Sequence, residues 1–244
     1  MTLAIRGDRT SCLSMQLGPA TWLLAVARGF GRIGPLPTEQ ALLARLRGEC
    51  DGRMRRPGFR RAIERPQSAA TAMMALLARV NGSLHAATAS HEDYVTAAAS
   101  LTAVVVVQRL AYVMHVGSTG AYLVRDRDVT PLCADEAMED EGITALPQAF
   151  AAAPSLDLSV SNVRLAAGDA IVLVGRRIAG EEGRHAVLDR AEAREPGEQS
   201  LVARFEEDAV APLAHRAHRA QIFWLVVRSL VALLAAAAAV AFAH

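Results

Sequence analysis

The sequence contains no lysine. Apart from its 7 histidines, every basic side chain among the 244 residues is arginine. Together with the abundant alanine this is a compositional bias, and it singles out no chemistry. Neither sign of charge is in excess. With 26 basic and 25 acidic residues the formal net charge is +1, which excludes a global electrostatic pull toward nucleic acid. Cysteine is scarce: Cys12, Cys50 and Cys133 form no CxxC pair and no metal-ligand spacing. An odd, scattered set argues against a disulfide framework and for a reducing compartment. The opening MTLAIRGDRTSCLSM lacks the basic-then-apolar order of a secretory signal, so none is expected. ARGFGRIG (27–34) has the form of neither a dinucleotide fingerprint nor a Walker loop. Ser100 and Ser118 have no histidine and aspartate partners identifiable from sequence, so no nucleophilic triad is assigned. There is no internal repeat.

What is present is apolar material. Hydrophobic residues make up 52% of the chain, ample for the core of one large domain with a small appendage. The expected division is a domain over 1–221, its last strand extending as far as 227, and a hydrophobic segment over 222–244. Ile222 to Ala243 is apolar except for Arg228 and Ser229. It meets the length of about 20 residues that a spanning helix needs. His215, Arg216, His218 and Arg219 precede it, and such a basic flank stays cytoplasmic. The expectation is a single-pass anchor in the cytoplasmic (inner) membrane with the N-terminal domain in the cytoplasm. The other reading is a last strand at Phe223–Val227 followed by a buried or interfacial alanine-rich helix.

Along the chain, two apolar stretches flank a turn at Gly18-Pro19, the second a buried-strand run from Thr21 to Ala27. Thr38 is the expected N-cap of a helix through Arg47. Residues 48–66 are basic and glycine-containing and read as a surface loop leading into a helix. From Ser68 to Ser90 apolar residues recur at helical spacing, through Ala72, Met73, Leu76, Leu77 and Val80, and Met73 and Met74 read as core. His85 and His91, near Glu92 and Asp93, make no metal motif and read as surface. Ala103–Val107, Tyr112–Val116 and Ala121–Arg125 read as successive strands, with turns at 108–109, 117–120 and 126–128. An acidic loop, Asp135 to Glu141, follows. VRLAAGDAIVLVG (163–175) reads as a hairpin-like pair. Strands flanking a long helical insert predict a layered α+β architecture.

YVMHVGSTGAYLVRDRDVTPLCADEA (112–137) resembles the central segment of the type 2C (PPM) serine/threonine protein phosphatases. Val116, Gly117, Ala121, Tyr122, Leu123, Arg125, Leu132 and Asp135 match in register, while Ser118, Thr119 and Gly120 replace an Asp-Ser-Arg. Three flanking segments fall in the family's order. WLLAVARGFGRIG (22–34) resembles its strand and glycine turn, AASLTAVVVV (98–107) its Gly-Thr-Thr strand, and LAAGDAIVLVGRRI (165–178) the strand ending in Ser-Asp-Gly-Leu. The resemblance covers most of residues 3–227. It implies a sandwich of two antiparallel sheets flanked by helices, followed here by a C-terminal hydrophobic helix, with a flap shortened to Met138–Ser159.

Such phosphatases use two Mg²⁺ or Mn²⁺ ions held by carboxylates, which generate a bridging hydroxide nucleophile. At the matching positions this chain has Thr10 and Ser11 after Arg6, then Arg28 before the retained Gly29, then Arg176, and finally Ala220. No metal ligand and no cofactor is therefore expected. Guanidinium groups bind no metal and would repel one. Asp8 and Asp169 are nearby acids; Asp169 matches a structural Gly-Asp, and Asp8 alone cannot hold two ions. The resemblance implies a pseudophosphatase: a regulatory or binding domain for a cytoplasmic protein partner, with no nucleic acid involved. Arg28 and Arg176 would offer positive charge to a phosphorylated partner, or would pair with Asp169 or backbone carbonyls and only fill the cleft. The alternatives are an active phosphatase with an atypical site and a structural docking protein.

Overall fold

The computed structural model describes residues 2–8, 10–89, 97–133, 138–140, 143–145, 148–193, 195 and 197–206. In chain order the elements begin with β1 (Thr2–Gly7), β2 (Cys12–Gly18), β3 (Thr21–Phe30), β4 (Arg32–Ile33) and β5 (Leu36–Pro37). Three helices follow: α1 (Thr38–Met54), α2 (Pro57–Ile63) and α3 (Pro66–Ala89). Then come β6 (Ala98–Val107), β7 (Leu110–Val116), β8 (Gly120–Arg125), β9 (Asp128–Pro131), β10 (Met138–Asp140), β11 (Ile143–Ala145), β12 (Ser159–Arg164) and β13 (Ala170–Val174). Helix α4 (Gly180–Glu192) and β14 (Ser200–Glu206) complete them.

Two five-stranded sheets carry the fold, in the orders β1-β14-β13-β8-β9 and β12-β7-β6-β3-β2. Two small hairpins, β4-β5 and β10-β11, accompany them. The α+β sandwich read from the sequence is thus present, and its central strands fall where expected. Gln108, Asp126 and Arg127 take positive φ at the two tight turns, between β6 and β7 and between β8 and β9. Gly117, at φ 91, stands where the chain leaves β7 for the other sheet. A Cβ there would lie 2.3 Å from Ser100 Oγ, so only glycine fits.

Side-chain alternation sorts each strand. In β3, Leu23, Ala25 and Ala27 join Leu42, Leu46, Met73, Leu77 and Val80 in one buried cluster under α1 and α3. The intervening Leu24 and Val26 are fully buried on the opposite face, toward the second sheet. On that second sheet, Val172, Val174, Tyr122 and Val202 form the outer face and pack with Val187 and Ala191 of α4.

Several local expectations are corrected. Helix α1 runs past Arg47 to Met54 and α2 follows it, so most of 48–66 is helical. Gly48 and Gly52 do not end the helix: the buried stripe Leu42, Leu46, Cys50 continues past them, and a Cβ at either glycine would meet nothing. Thr38 is the first helical residue; Pro37 is the cap, and the Thr38 hydroxyl donates to the Phe30 carbonyl (2.8 Å) instead. Met73 is core, whereas Met74 is exposed, one step round the helix. His85 is half-buried, with Nδ1 3.0 Å from the Ala151 carbonyl. β12 and β13 are not a hairpin: β12 pairs with β7 and β13 with β8 and β14, in different sheets. Part of the expected acidic loop and flap is the short hairpin β10-β11. His91, Glu92, Asp93, Asp135, Ala220, the strand read at Phe223–Val227 and the segment 222–244 lie outside the described residues. Among the described residues no helix is long and apolar enough to cross a membrane.

Candidate functional site

Strand β3 delivers the first arginine. Arg28 continues the face of Leu24 and Val26, the face turned toward the second sheet, at the point where that core ends. It is exposed, and it makes no hydrogen bond or ion pair among the described residues. Its cross-strand partner is Ser100. The next residue, Gly29, faces the start of α1: a Cβ would lie 2.5 Å from the Glu39 backbone nitrogen. Backbone cannot swing away as a side-chain tip can, so glycine is required there for packing. Its retention beside a lost aspartate position therefore says nothing about catalysis.

The end of β1 forms a polar knot. Asp8 Oδ1 accepts from Thr10 N (2.9 Å) and Thr10 Oγ1 (2.7 Å). Asp8 Oδ2 accepts from Ser11 Oγ (2.6 Å) and Gln199 N (3.2 Å). Burial pushes this carboxyl up, but the Ser11, Thr10 and Gln199 hydrogen bonds outweigh it and hold it down at about 2. Ser11 O in turn accepts from Ala27 N (2.9 Å), which ties the knot to β3 beside Arg28. The adjacent Cys12 thiol is pushed up to about 12 by burial, which disfavours its thiolate form.

The end of β13 closes a ring. Gly175 N donates to Gln199 O (2.7 Å), and Arg177 N donates to Ser118 O (2.8 Å). Arg176, between them, is exposed and has no hydrogen-bond or ion-pair partner among the described residues. Ser118 accepts or donates at Ser100 Oγ (3.2 Å), and its backbone N donates to the same oxygen (3.0 Å). The contacts thus run from Asp8 through Gln199, Gly175, Arg176, Arg177, Ser118 and Ser100 to Arg28, and back through Ala27 and Ser11. Under this ring, Thr102 Oγ1 bridges Thr119 Oγ1 (2.8 Å) and His115 Nδ1 (2.9 Å), all buried. A cleft of about 430 Å³ opens at Gly175–Ala179, lined also by α4 and by Glu198 and Gln199.

The fold therefore gathers Thr10, Ser11, Arg28 and Arg176 around neighbouring strand ends, as the motif order implies. The cleft takes in Arg176 and not Arg28. Asp169, offered as a partner for these arginines, is already held by Arg125 Nε (2.9 Å) and Nη2 (2.7 Å). Sequence reasoning missed Glu198 and Gln199, which lie in the turn just before β14. The available signal was the alternation SLVARF after a helix, overshadowed by the more apolar run farther on. The two divalent ions of the resembling family do not fit these residues. Both Asp8 oxygens are occupied by hydroxyl and amide donors, two guanidinium groups stand nearby, and no group of three or more His, Cys, Asp or Glu that could hold a metal occurs among the described residues.

No family profile and no curated protein matches this chain. Solved structures do. The S. agalactiae serine/threonine phosphatase is 13% identical, with 84% of this chain and 100% of that one covered at a TM-score of 0.63. The Mycobacterium tuberculosis serine/threonine phosphatase PstP/Ppp is 17% identical, with 84% and 99% covered and a TM-score of 0.61. PppA, a regulatory component of the type VI secretion system in Pseudomonas aeruginosa, is 15% identical, with 83% and 96% covered and a TM-score of 0.59. With its two five-stranded antiparallel sheets, outer helices and near-complete coverage of these neighbours, the chain has the fold of the PPM-type serine/threonine phosphatases.

Proposed function

We propose that this protein is a pseudophosphatase: a binding or regulatory domain on the PPM fold that does not hydrolyse phosphoserine or phosphothreonine through a two-metal centre. The observation that carries the reading is the charge at the strand ends. Hydroxyls stand at Thr10 and Ser11 and already engage Asp8, while Arg28 and Arg176 present guanidinium groups with no partner among the described residues. Two dications need several anionic oxygens around them, and a guanidinium at such a position opposes rather than replaces a ligand. The same guanidinium groups suit a phosphate, which arginine can grip through two parallel N–H bonds. The partner in this reading is a phosphorylated cytoplasmic protein, and the segment 222–244 holds the domain at the inner membrane.

Titration calorimetry with Mn²⁺ and turnover of a phosphopeptide test the catalytic half. Silence in both is expected; saturable binding of two ions together with turnover would refute the reading. Fractionation tests the anchor. The full chain is expected in the membrane fraction, and deletion of Val227–His244 is expected to release it. A full chain that is monodisperse without detergent removes the anchor from the proposal.

A further inference from the structure

The helical layer over β2, β3 and β6 carries a concentration of charge that the strand-end site does not use. Between Arg55 and Arg65, across α2 and the turns on either side of it, five of the eleven residues are arginine and one, Glu64, is acidic. In a chain whose net charge is +1 that is a local excess of four positive charges. Arg55, Arg56, Arg60, Arg61 and Arg65 are all exposed, and none of their side chains makes a hydrogen bond or ion pair among the described residues. The neighbouring carboxylates do not offset them. Glu49 faces Arg53 (3.7 Å) and Arg79 (3.8 Å). Glu64 Oε1 lies against the turn at Gly18, where an added Cβ would come within 2.8 Å of it. Asp51, four residues before Arg55, makes no ion pair among the described residues.

These arginines do not hold α2 in place. Arg56 and Arg60 stand one helical turn apart, Arg60 N donating to the Arg56 carbonyl (3.1 Å), and like charges at that spacing destabilise a helix. What fixes α2 lies beneath it: Ile63 is fully buried and Phe59 half-buried in the cluster under α1 and α3. The arginines therefore bring mutual repulsion and no compensating contact, a cost that an anionic partner removes. Their arrangement selects the kind of partner. Converging donors grip a single phosphate, but these side chains stand on the outer side of a short helix, and the cleft at Gly175–Ala179 includes none of them. An extended negative surface meets several at once. A bilayer of anionic lipid is such a surface, and each arginine brought to it adds its own increment of attraction within a Debye length.

We infer that the arginine face of α2 docks on the surface of an anionic membrane. The choice of a lipid surface rests on the anchor proposed for 222–244; the arginine cluster itself does not. The test is flotation of the full chain with vesicles of phosphatidylcholine alone and of phosphatidylcholine and phosphatidylglycerol in equal parts, at lipid concentrations that leave part of the chain unbound. Tighter binding to the anionic vesicles is expected, with the difference shrinking as salt is added. Arg60→Gln and Arg61→Gln should each weaken binding to the anionic vesicles by about fivefold, the scale of one arginine at such a surface, and leave binding to neutral vesicles unchanged. Arg184→Gln, on α4 across the other sheet, should alter neither. Unfolding curves of each variant establish that the fold is intact. Equal affinity for the two vesicles would overturn the inference, as would indifference to both α2 variants or an equal loss on Arg184→Gln. A phosphoserine peptide that binds saturably and is lost on Arg60→Gln would overturn it too, by giving the face to a phosphorylated protein. Failure of the anchor looks different: no binding to neutral vesicles, with binding to anionic ones retained and weakened by Arg60→Gln. That result would remove the anchor and leave the docking face standing.

Discussion

The two ends of β13 treat charge in opposite ways. At its start, Asp169 is 1% exposed and is gripped by Arg125 through Nε and Nη2, while Ala166 N donates to it as well (2.7 Å). Arg125 Nη2 also reaches the Arg164 carbonyl (3.0 Å), so the pair joins the end of β8 to the segment between β12 and β13. Past its far end, Arg176 stands exposed with no such partner among the described residues. Both arginines sit at the margin of one sheet, and the sequence lists them identically. What separates them is whether a buried carboxylate has been supplied. A paired arginine is accounted for by the fold; an exposed one without a partner among the described residues adds no contact that holds the fold together.

That comparison can be broken. The largest expected effect is at the sealed end. Asp169→Ala removes two charged hydrogen bonds and leaves Ala166 N without its acceptor, so urea unfolding should show a loss of about 2–3 kcal/mol. A change near zero would mean that the sealed end is no more structural than the open one. Gly29→Ala comes next. Its Cβ would press on the Glu39 backbone at 2.5 Å, and overpacking of that kind costs about 1–3 kcal/mol. The same urea series measures it, and no loss would mean that α1 can shift away from β3.

The third effect is a pH dependence. Asp8 has its carboxyl at about 2 in the folded protein against an ordinary 3.8. A depressed folded value means that the contribution is present above about pH 4 and is lost as pH falls from 3.8 toward about 2. Solvent screening keeps it below about 1 kcal/mol. Asp8→Asn should flatten stability against pH in that interval, and an unchanged slope would show that the knot of hydroxyls does not favour the charged form. The smallest effect sharpens the comparison most. Arg28→Ala and Arg176→Ala should each alter stability by no more than about 0.5 kcal/mol, as surface changes without partners do. A larger loss at either position would place that arginine in the structural class beside Arg125.

Much of the fold was legible because alternation and turn chemistry are local. β6, β7 and β8, the turns at Gln108 and Asp126, and α3 with its Met73–Leu77–Val80 stripe follow from spacing alone. Helix α1 runs beyond the expected Arg47 because burial of Cys50 beneath it continues the stripe of Leu42 and Leu46, and that burial depends on what packs against the helix. β12 and β13 were read as partners because adjacency in sequence is the only pairing signal a single chain offers. The positions Thr10, Ser11, Arg28 and Arg176 were legible as substitutions within motifs, but not what surrounds them.

From the sequence by itself came the residue types at each matched position, the strand periods, the order of the motifs and the absence of carboxylates among them. Tertiary structure alone decided which carboxylate each arginine meets. Arg125 and Asp169 are far apart in the chain and are brought together only because β8 and β13 pair; Arg28 and Arg176 meet no carboxylate among the described residues. Pairing of charges depends on distances of a few ångströms between segments remote in sequence, and those distances exist only once the sheets have formed.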